Sequence, residues 1–425
     1  MDAIPKNLKI KFLGGTREVG RSAVALKSGE TQILIDYGVM LAREPGFPMH
    51  IPPREVDAII LSHAHLDHSG AIPIFHIRGH TPVFATHPTL EIAKLLISDL
   101  IKLSGYYLPF EFIDLQNMLN CSENKKYNEE FKIGSLRTQL FNAGHIPGSS
   151  QVVLESSKKK VVYTGDYNPI DTRLLRGADQ SYNDANVLII EGTYANEDHE
   201  PRSNVEEAFI EKLNDVVERG GTVLVPAFAV GRSQEILCIL AAHNFEHPVV
   251  IDGMAKDVNE ILLHYPGFLR DPDLFKQSLN MAKSIGGWSD RRRAIKKPGV
   301  IVSPAGMLKG GNAIFYMNKI AKKSKNAICM VSFQIPGTPG YELLTSKRFI
   351  IRGKTAIVKA EVEHFDFTSH GGQTQLIQTV RKMSNDPKIF IMHGEEEKCC
   401  DFSEIIKDKF GFSTTIPKAG DIFKI

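Results

Sequence analysis

Cysteine is scarce in this 425-residue sequence, which contains five. The cysteines occupy positions 121, 238, 329, 399 and 400, and no pair has CxxC spacing. A thiolate zinc site and a disulfide framework are therefore not expected. This cysteine usage is typical of an intracellular protein, and we expect a cytoplasmic location.

Long hydrophobic runs are also missing. No uninterrupted apolar stretch approaches the ~20 residues that a membrane span requires, so we expect no membrane partner. The opening residues, MDAIPKNLKIKFLGG, lack the apolar segment of a signal peptide. With 42% hydrophobic and 24% charged residues, the composition is that of a globular protein. The length favours two or three domains over one.

Charge of one sign is nearly absent from one long segment. Residues 281–360 hold 16 lysines and arginines against Asp290 and Glu342, a net charge of +14, whereas the whole chain carries only +2. A solvated helix face is the alternative explanation for a single run such as RRRAIKK. Because the bias extends over the whole segment, it favours a surface that binds nucleic acid.

The patterning of the sequence changes twice along the chain. Alternating and β-branched apolar residues predict strands at 8–15, 22–29, 31–38, 56–62, 135–144, 150–156, 159–166 and 186–192. Strands and helices alternate after residue 200, where Ser203 and Glu206 have capping-box spacing, and the β-rich pattern returns near 345. We therefore predict an α/β domain inserted into a split one, with boundaries 1–200, 201–345 and 346–425.

The segment LSHAHLDHSG, residues 61–70, places four potential metal ligands within six positions: His63, His65, Asp67 and His68. It directly follows a predicted buried strand, so that His63 and His65 point to the same side. Nitrogen and oxygen ligands without a thiolate suit Zn²⁺, with Mn²⁺ or iron as alternatives. Chance rarely gives this density of ligands, and the segment predicts a metal site.

One loop cannot complete two metal sites, so further ligands must come from other strand ends. His145, Asp166 and His393 each follow an apolar strand, and Asp166 is the natural bridging carboxylate. Taken singly, such a histidine is more often an ordinary hydrogen-bonded residue. Asp36, in LIDYG, is better placed to orient the histidine loop than to bind metal.

Together these residues resemble the metallo-β-lactamase superfamily. Within it, IIEGTY with Glu191, TSHGG with His370 and MHGE with His393 resemble motifs A, B and C of the β-CASP nucleases. The likeness covers nearly the whole chain. It is strongest to archaeal homologues of the nuclease subunit of the cleavage and polyadenylation specificity factor, with ribonuclease J next. It implies an α/β fold, an αββα sandwich with an inserted Rossmann-like β-CASP domain.

The resemblance also implies cofactors and partners. It implies two Zn²⁺ per chain, with Mn²⁺ as the alternative, one held by His63, His65, His145 and Asp166 and the other by Asp67, His68, Asp166 and His393. Members with histidine in motif C act on RNA, so His393 implies a single-stranded RNA substrate. A homodimer and other RNA-processing or transcription components are further expected partners. Gly371 and Gly372 stand where the family often has a small residue and then aspartate.

The expected reaction is zinc-dependent hydrolysis of RNA in 3′-end processing or decay. A water activated by two metals would attack phosphorus in line, giving 5′-phosphate and 3′-hydroxyl ends. The catalytic candidates are Asp67, Glu191 and His370. His370 would protonate the leaving oxygen while Glu191 orients it, and the alternative role for His370 is a further metal contact. Endonucleolytic and 5′-to-3′ exonucleolytic cleavage both fit these residues.

Five residues are candidates for contacts to substrate phosphates: Arg232, Ser303, Gly306, Ser369 and Gly371. Arg232 opens a predicted helix, and the others lie in the glycine-containing segments SPAGMLKGG and TSHGG. Each is alternatively an ordinary turn or cap. The basic segment 281–360 is expected to line a cleft between the domains.

Two other functions are compatible with part of the sequence. A small-molecule metallo-hydrolase of the same superfamily would share the ligands but lack the basic insert, Glu191 and His370. A non-catalytic scaffold subunit of an RNA cleavage complex would have lost metal ligands, and none is missing here. The sequence therefore favours a ribonuclease.

Overall fold

A computed structural model of the chain describes residues 8–41, 45–104, 108–156 and 159–425. The backbone divides into two compact units. Unit 1 contains the residues up to 171, residues 177–198 and residues 370–425, and unit 2 contains residues 172–176 and 199–369. Among the described residues, no helix is long and apolar enough to cross a membrane.

The strands and helices are numbered in chain order. The strands are β1 Leu8–Gly14, β2 Ala23–Ser28, β3 Thr31–Ile35, β4 Ala58–Ile60, β5 Val83–Thr86, β6 Ser122–Lys125, β7 Glu130–Ile133, β8 Leu136–Asn142, β9 Ser150–Ser156, β10 Lys159–Tyr163, β11 Val187–Glu191, β12 Thr222–Ala227, β13 Val249–Ile251, β14 Ala282–Ser284, β15 Gly299–Pro304, β16 Ala327–Met330, β17 Arg348–Ile351, β18 Lys354–Ile357, β19 Glu361–His364, β20 Lys388–Met392, β21 Thr414–Thr415 and β22 Ile422–Lys424. The helices are α1 Leu66–Ser69, α2 His87–Ser104, α3 Phe112–Asn120, α4 Arg202–Glu218, α5 Arg232–Ala242, α6 Ala255–Leu263, α7 Pro272–Met281, α8 Trp288–Ala294, α9 Gly311–Ile320, α10 Pro339–Ser346, α11 Gln373–Arg381 and α12 Glu396–Phe410.

Unit 1 is built on two sheets that share a core. Their strand orders are β22-β1-β2-β3-β4-β5-β6 and β21-β20-β11-β10-β9-β8-β7. Apolar side chains of both sheets, such as Phe12 and Phe390, pack together between them. Helix α2 packs on β5 and β6, and Leu376 of α11 and Phe402 of α12 cover the outer face of the second sheet. The arrangement is an αββα sandwich, as the resemblance to the metallo-β-lactamase superfamily implied.

Unit 2 contains a parallel sheet in the order β14-β13-β15-β12-β16-β19, in which every neighbouring pair is parallel. Phe209 of α4 and Leu237 of α5 belong to one apolar core of this unit. Tyr316 of α9 and Leu343 of α10 belong to a second one. Because crossover helices bury their apolar faces against the sheet, the result is a Rossmann-like layered domain.

The insert extends further than the sequence pattern suggested. Strand β19 pairs in parallel with β16, so it belongs to the sheet of unit 2. The hairpin of β17 and β18 buries Phe349 and Ile351 in a core of the same unit. The chain returns to unit 1 between Ser369 and His370, rather than at 345, because a β-rich pattern alone does not reveal which sheet a strand joins.

The capping box predicted at Ser203 and Glu206 was wrong. Helix α4 begins at Arg202, its N-cap residue is Pro201, and no side chain caps it. Glu206 is buried, and its carboxylate lies 2.8 Å from the guanidinium of Arg173 and 3.0 Å from His243. Glu206 therefore forms internal ion pairs instead of closing the helix end.

Candidate metal centre

The histidine segment forms a loop and one turn of helix that follow β4. The amides of His68 and Ser69 donate to the carbonyl of His65, both at 2.9 Å, which closes the turn of α1. A neighbouring segment holds this turn from outside, because the amide of Tyr37 donates to the carbonyl of His68 at 2.8 Å. The amide of Val39 donates to the carbonyl of Leu66 at the same distance. Backbone bonds therefore fix the position of the whole segment.

Gly38 lies at the point of closest approach between these segments. A Cβ atom at this position would lie 1.7 Å from the carbonyl oxygen of Asp67, so Gly38→Ala is expected to displace the histidine segment. We expect the substitution to lower the free energy of unfolding by about 1–3 kcal/mol and to reduce metal content. Thermal unfolding and metal analysis measure both effects.

Gly267→Ala is the matched control, because a Cβ there meets no atom within 4 Å. Its expected effect on stability is within about 0.5 kcal/mol. Equal unfolding temperatures for the two variants would show that the loop does not depend on this close approach.

Asp36 is a buried carboxylate that orients the histidine segment. It accepts hydrogen bonds from the amide and the hydroxyl of Ser62, both at 2.7 Å, and from the hydroxyl of Tyr163 at 2.9 Å. Its Oδ2 also lies 2.7 Å from Nδ1 of His68. With Nδ1 held in this way, Nε2 of His68 faces the interior of the cluster, which is the geometry that an orienting carboxylate requires.

Asp36→Asn is expected to weaken metal binding about 10- to 100-fold. An amide offers one acceptor where the carboxylate offers two, so it cannot satisfy all the donors around Asp36. Competition with a chromogenic chelator measures the affinity. Asp57→Asn is a suitable control, because Asp57 accepts a bond from the amide of Gln32 at an exposed site. Unchanged affinity in Asp36→Asn would contradict the orienting role.

Asp166 lies at the centre of the predicted ligands. Its Oδ2 is 3.5 Å from Nε2 of His63 and 3.5 Å from Nε2 of His145. Its Oδ1 is 3.2 Å from Nε2 of His68 and 3.1 Å from Nδ1 of His393. The two oxygens of one carboxylate thus face two different pairs of imidazoles.

The ligand atoms fall into two groups. Atoms of His63, His65, His145 and Asp166 lie within 4.8 Å of one another, and so do atoms of Asp67, His68 and His393. In the first group, His145 Nε2 is 3.1 Å from His65 Nδ1. In the second, His393 Nε2 is 3.3 Å from the Asp67 carboxylate. The structure brings together all seven residues predicted to bind metal.

Burial controls the charge of these imidazoles. It lowers the pKa of His63 and His145, and it lowers that of His65 to about 3. Burial also lowers the pKa of His68, but the carboxylates of Asp166 and Asp36 outweigh it and raise that pKa well above its ordinary value. Neutral imidazoles have a free lone pair for a metal ion.

The cluster has the properties of a divalent metal site. Among the described residues, the buried atoms His63 Nε2 and Asp166 Oδ1 have no hydrogen-bonding partner. Leaving buried polar atoms unpaired is costly, and a cation bound beside each of these atoms would satisfy it. Imidazole nitrogens and carboxylate oxygens without thiolates match the ligand preferences of Zn²⁺.

Glu191 and His370 form a pair beside the cluster. Nδ1 of His370 lies 2.9 Å from each carboxylate oxygen of Glu191, and the His370 ring centroid is 4.5 Å from that of His145. Burial lowers the pKa of His370, but Glu191 more than compensates, and the pKa rises to about 9. Glu191 also lies within 4.8 Å of Asp166 and His393 as a potential ligand, and it accepts a hydrogen bond from the amide of Tyr167.

The residues proposed to contact phosphate differ in their surroundings. Arg232 is buried at the start of α5, and its Nη2 lies 3.4 Å from the hydroxyl of Ser369. Ser303 is buried at the end of β15, and its hydroxyl has no partner among the described residues. Gly306 follows in the next loop, where its carbonyl accepts a bond from Gln334. These four residues belong to unit 2.

Gly371 was predicted to contact a substrate phosphate, but its amide is bonded within the protein. The amide donates to the carbonyl of Tyr167 at 2.7 Å. The amide is already used within unit 1, so it is not a ready phosphate donor.

Three residues of the site were not predicted. Ser62 and Tyr163 donate to Asp36, and Thr193 donates from its hydroxyl to the carbonyl of His393 at 3.0 Å. Ser62 directly precedes His63, and Thr193 lies two positions after Glu191. Their proximity to these motif residues could have identified them. Nothing in the strand pattern around Tyr163 indicated that its hydroxyl would be buried against a carboxylate.

Comparison with known protein families agrees with this geometry. Residues 16–219 match the family described as "Metallo-beta-lactamase superfamily". Residues 233–343 match the "Beta-Casp domain". Residues 355–417 match the "Zn-dependent metallo-hydrolase RNA specificity domain". The superfamily and the cluster together identify a divalent metal centre.

Individual relatives cover almost the whole chain. "RNase aCSPSF2" of Saccharolobus solfataricus is 41% identical over 423 residues, which are 99% of this chain and 86% of that protein. "Probable RNase MJ4" of Methanocaldococcus jannaschii is 35% identical over 98% of this chain and 100% of that protein. A crystal structure of a protein of unknown function from Enterococcus faecalis has the same fold, with a TM-score of 0.64, 14% identity and coverage of 99% and 100% of the two chains. The chain therefore belongs to the metallo-β-lactamase superfamily and, within it, to the β-CASP proteins that carry an RNA specificity domain.

Proposed function

We propose that this protein is a two-zinc ribonuclease that hydrolyses single-stranded RNA. The observation that carries the proposal is the position of Asp166, whose two oxygens face two separate pairs of imidazoles at 3.1–3.5 Å. A bridging carboxylate of this kind suits two cations held a few ångströms apart.

The proposed ligand sets follow the two groups of atoms. One Zn²⁺ is held by His63, His65, His145 and Asp166, and the other by Asp67, His68, Asp166 and His393. Mn²⁺ is the alternative ion, since nitrogen and oxygen donors accept both. When bound, such ions supply Lewis acidity for the activation of water and for the charge on the phosphoryl oxygens.

The proton needed by the leaving group comes from His370 in this proposal. Glu191 holds Nδ1 of His370, which orients the ring and stabilises its protonated form. A protonated imidazole then neutralises the departing sugar oxygen, leaving a 3′-hydroxyl and a 5′-phosphate. Asp67 contributes as a ligand, since its carboxylate faces His393 at 3.3 Å.

The substrate assignment rests on the family. The chain matches an RNA specificity domain, and the similar archaeal proteins are named as RNases. The protein is thus a metal-dependent ribonuclease in RNA processing. We further propose phosphate contacts from Arg232, Ser303, Gly306 and Ser369, a cytoplasmic location, a homodimeric state, and other RNA-processing or transcription components as partners.

Cleavage of labelled RNA tests the proposal. Purified protein with Zn²⁺ or Mn²⁺ is incubated with RNA bearing a 5′-monophosphate, with 5′-triphosphorylated RNA and with circular RNA. We expect products with 5′-phosphate and 3′-hydroxyl ends. Cleavage of the circle indicates endonucleolytic action, and a requirement for the monophosphate indicates 5′-to-3′ exonucleolytic action.

Two variants accompany this assay. His65→Ala removes a proposed ligand and is expected to abolish cleavage, whereas His50→Ala changes an exposed histidine and is expected to preserve it. The ribonuclease proposal fails if the wild type cleaves no RNA with any divalent ion, or if His65→Ala cleaves as well as the wild type.

A further inference from the structure

The single tryptophan of the chain, Trp288, is unusually exposed for its size. It begins helix α8 in unit 2, and 57% of its surface is accessible. An accessible area this large means that the ring is not covered on both faces. Tryptophan is highly buried on average and is enriched at interfaces, so an exposed tryptophan is a candidate for contact with a partner.

The Trp288 ring is held in place by a chain of contacts that ends in a buried carboxylate. The guanidinium of Arg291 lies 4.9 Å from the ring centroid, in a cation–π contact. Arg291 donates two hydrogen bonds to Asp252, at 2.7 and 3.0 Å. Asp252 is fully buried and also accepts a bond from the hydroxyl of Tyr316 at 2.8 Å. The ring edge contacts Phe315, with centroids 5.4 Å apart and planes at 81°.

This arrangement fixes an exposed aromatic ring before any partner arrives. Arg291 is bound at both oxygens of Asp252, so its position beside the ring is set by the interior of unit 2. Binding to a rigid ring loses little side-chain entropy. A ring that served only to fill the core would be covered by its neighbours, which Trp288 is not.

Several exposed cations lie close to Trp288 in the sequence of α8 and the turn after it. Arg292, Lys296 and Lys297 are exposed on α8 and the turn that follows it, and among the described residues no acidic side chain forms an ion pair with these three cations. Arg293 differs, since it pairs with Asp290 at 2.8 Å. On α9, Lys319 is exposed one helical turn after Phe315, and residues four apart lie on the same side of a helix.

We propose that Trp288 is a stacking platform for one base of single-stranded RNA, with Arg292, Lys296 and Lys297 contacting the phosphates on either side. An exposed aromatic ring beside cations is the combination that binds single strands without sequence preference. The choice of RNA rests on the proposed ribonuclease function. The residues of this site belong to unit 2, and none of them is among the predicted metal ligands, which belong to unit 1.

The fluorescence of Trp288 gives a direct test, since no other tryptophan contributes. Titration with a phosphorothioate RNA of about ten nucleotides, a length typical of such sites, is expected to quench it. Anisotropy of a labelled copy of the same RNA is expected to show about tenfold weaker binding by Trp288→Ala. Trp288→Phe should recover part of the loss. Phe112→Ala, which removes an equally exposed ring from unit 1, should bind like the wild type.

Salt dependence separates stacking from charge. The logarithm of affinity falls linearly with the logarithm of salt concentration. Arg292→Ala is expected to reduce the magnitude of this slope by about one, which corresponds to one phosphate contact. Trp288→Ala should weaken binding with an unchanged slope. Unfolding temperatures of both variants are measured beside these titrations, and wild-type-like values are expected because both side chains are exposed.

Several outcomes would contradict the proposal that Trp288 stacks on an RNA base. Unquenched fluorescence or undiminished RNA binding by Trp288→Ala excludes base stacking, even if the chain cleaves RNA. Loss of self-association in Trp288→Ala, with RNA binding intact, assigns the surface to a protein partner instead. Conversely, quenching together with the predicted losses of affinity supports the platform even if no cleavage is found, so its failure and that of the ribonuclease proposal are distinguishable.

Discussion

Asp166→Asn is expected to reduce RNA cleavage by at least about 10³-fold and to release bound metal. The wild-type carboxylate presents one oxygen to His63 and His145 and the other to His68 and His393. Asparagine replaces one of these oxygens by an NH₂ group, which repels a cation. Both proposed ions are affected at once, because the substitution also removes the negative charge that they would share.

Metal content per chain and the cleavage rate are measured together for this variant. Asp408→Asn, which alters an exposed carboxylate on α12, is the control and should match the wild type in both. If Asp166→Asn retained two ions and full activity, Asp166 could not be the bridging ligand.

The second large effect is expected for His370→Ala, which should lower kcat about 10²- to 10⁴-fold. Glu191 contacts His370 through Nδ1, so Nε2 is the nitrogen that serves the leaving oxygen. Because His370 lies outside the two ligand groups, metal content should be unchanged. Loss of metal in His370→Ala would support the alternative role as a metal contact.

The pH profile tests the same residue in a different way. Burial lowers the pKa of His370, but Glu191 raises it to about 9, so the acid is present below this pKa and is lost as pH rises through it. Cleavage is therefore expected to fall on the alkaline side. Nearby cations lower the pKa, so the fall should begin below that value in the metal-bound enzyme.

Glu191→Gln removes the charge that stabilises protonated His370. The alkaline fall in kcat should then move to lower pH, while Glu404→Gln, an exposed change on α12, should leave the profile in place. A profile for Glu191→Gln that coincides with the wild type would exclude His370 as the titrating acid.

Much of the fold could be predicted because it depends on local patterns. Apolar runs such as VLIIE predict strands that are buried on both faces, and β11 is such a strand. The alternation of strands and helices after residue 200 predicted the parallel sheet of unit 2. The second domain boundary, placed near 345, was predicted less accurately. It depends on the pairing of β19 with β16, and the local sequence does not determine which sheet a strand joins.

The site was predictable to the extent that its residues carry motif spacing. His63, His65 and His68 were evident from a single segment, and strand ends supplied Asp166 and His393. The residues that contact Asp36 could not be predicted in this way. Tyr163 is 127 residues away in sequence, and only the packing of the two sheets brings its hydroxyl to Asp36. The Gly371 amide failed as a phosphate contact for the same reason, since its bond to Tyr167 joins distant segments.

The split of unit 1 has a consequence for the time course of synthesis on the ribosome. Strand β20 pairs with β11, and it delivers His393 to a centre whose other histidines were made before the insert. Residues 199–369 are the continuous main part of unit 2, which can fold while translation continues. The earlier part of unit 1 must wait for β20, so the proposed set of metal ligands cannot assemble until the insert has been translated.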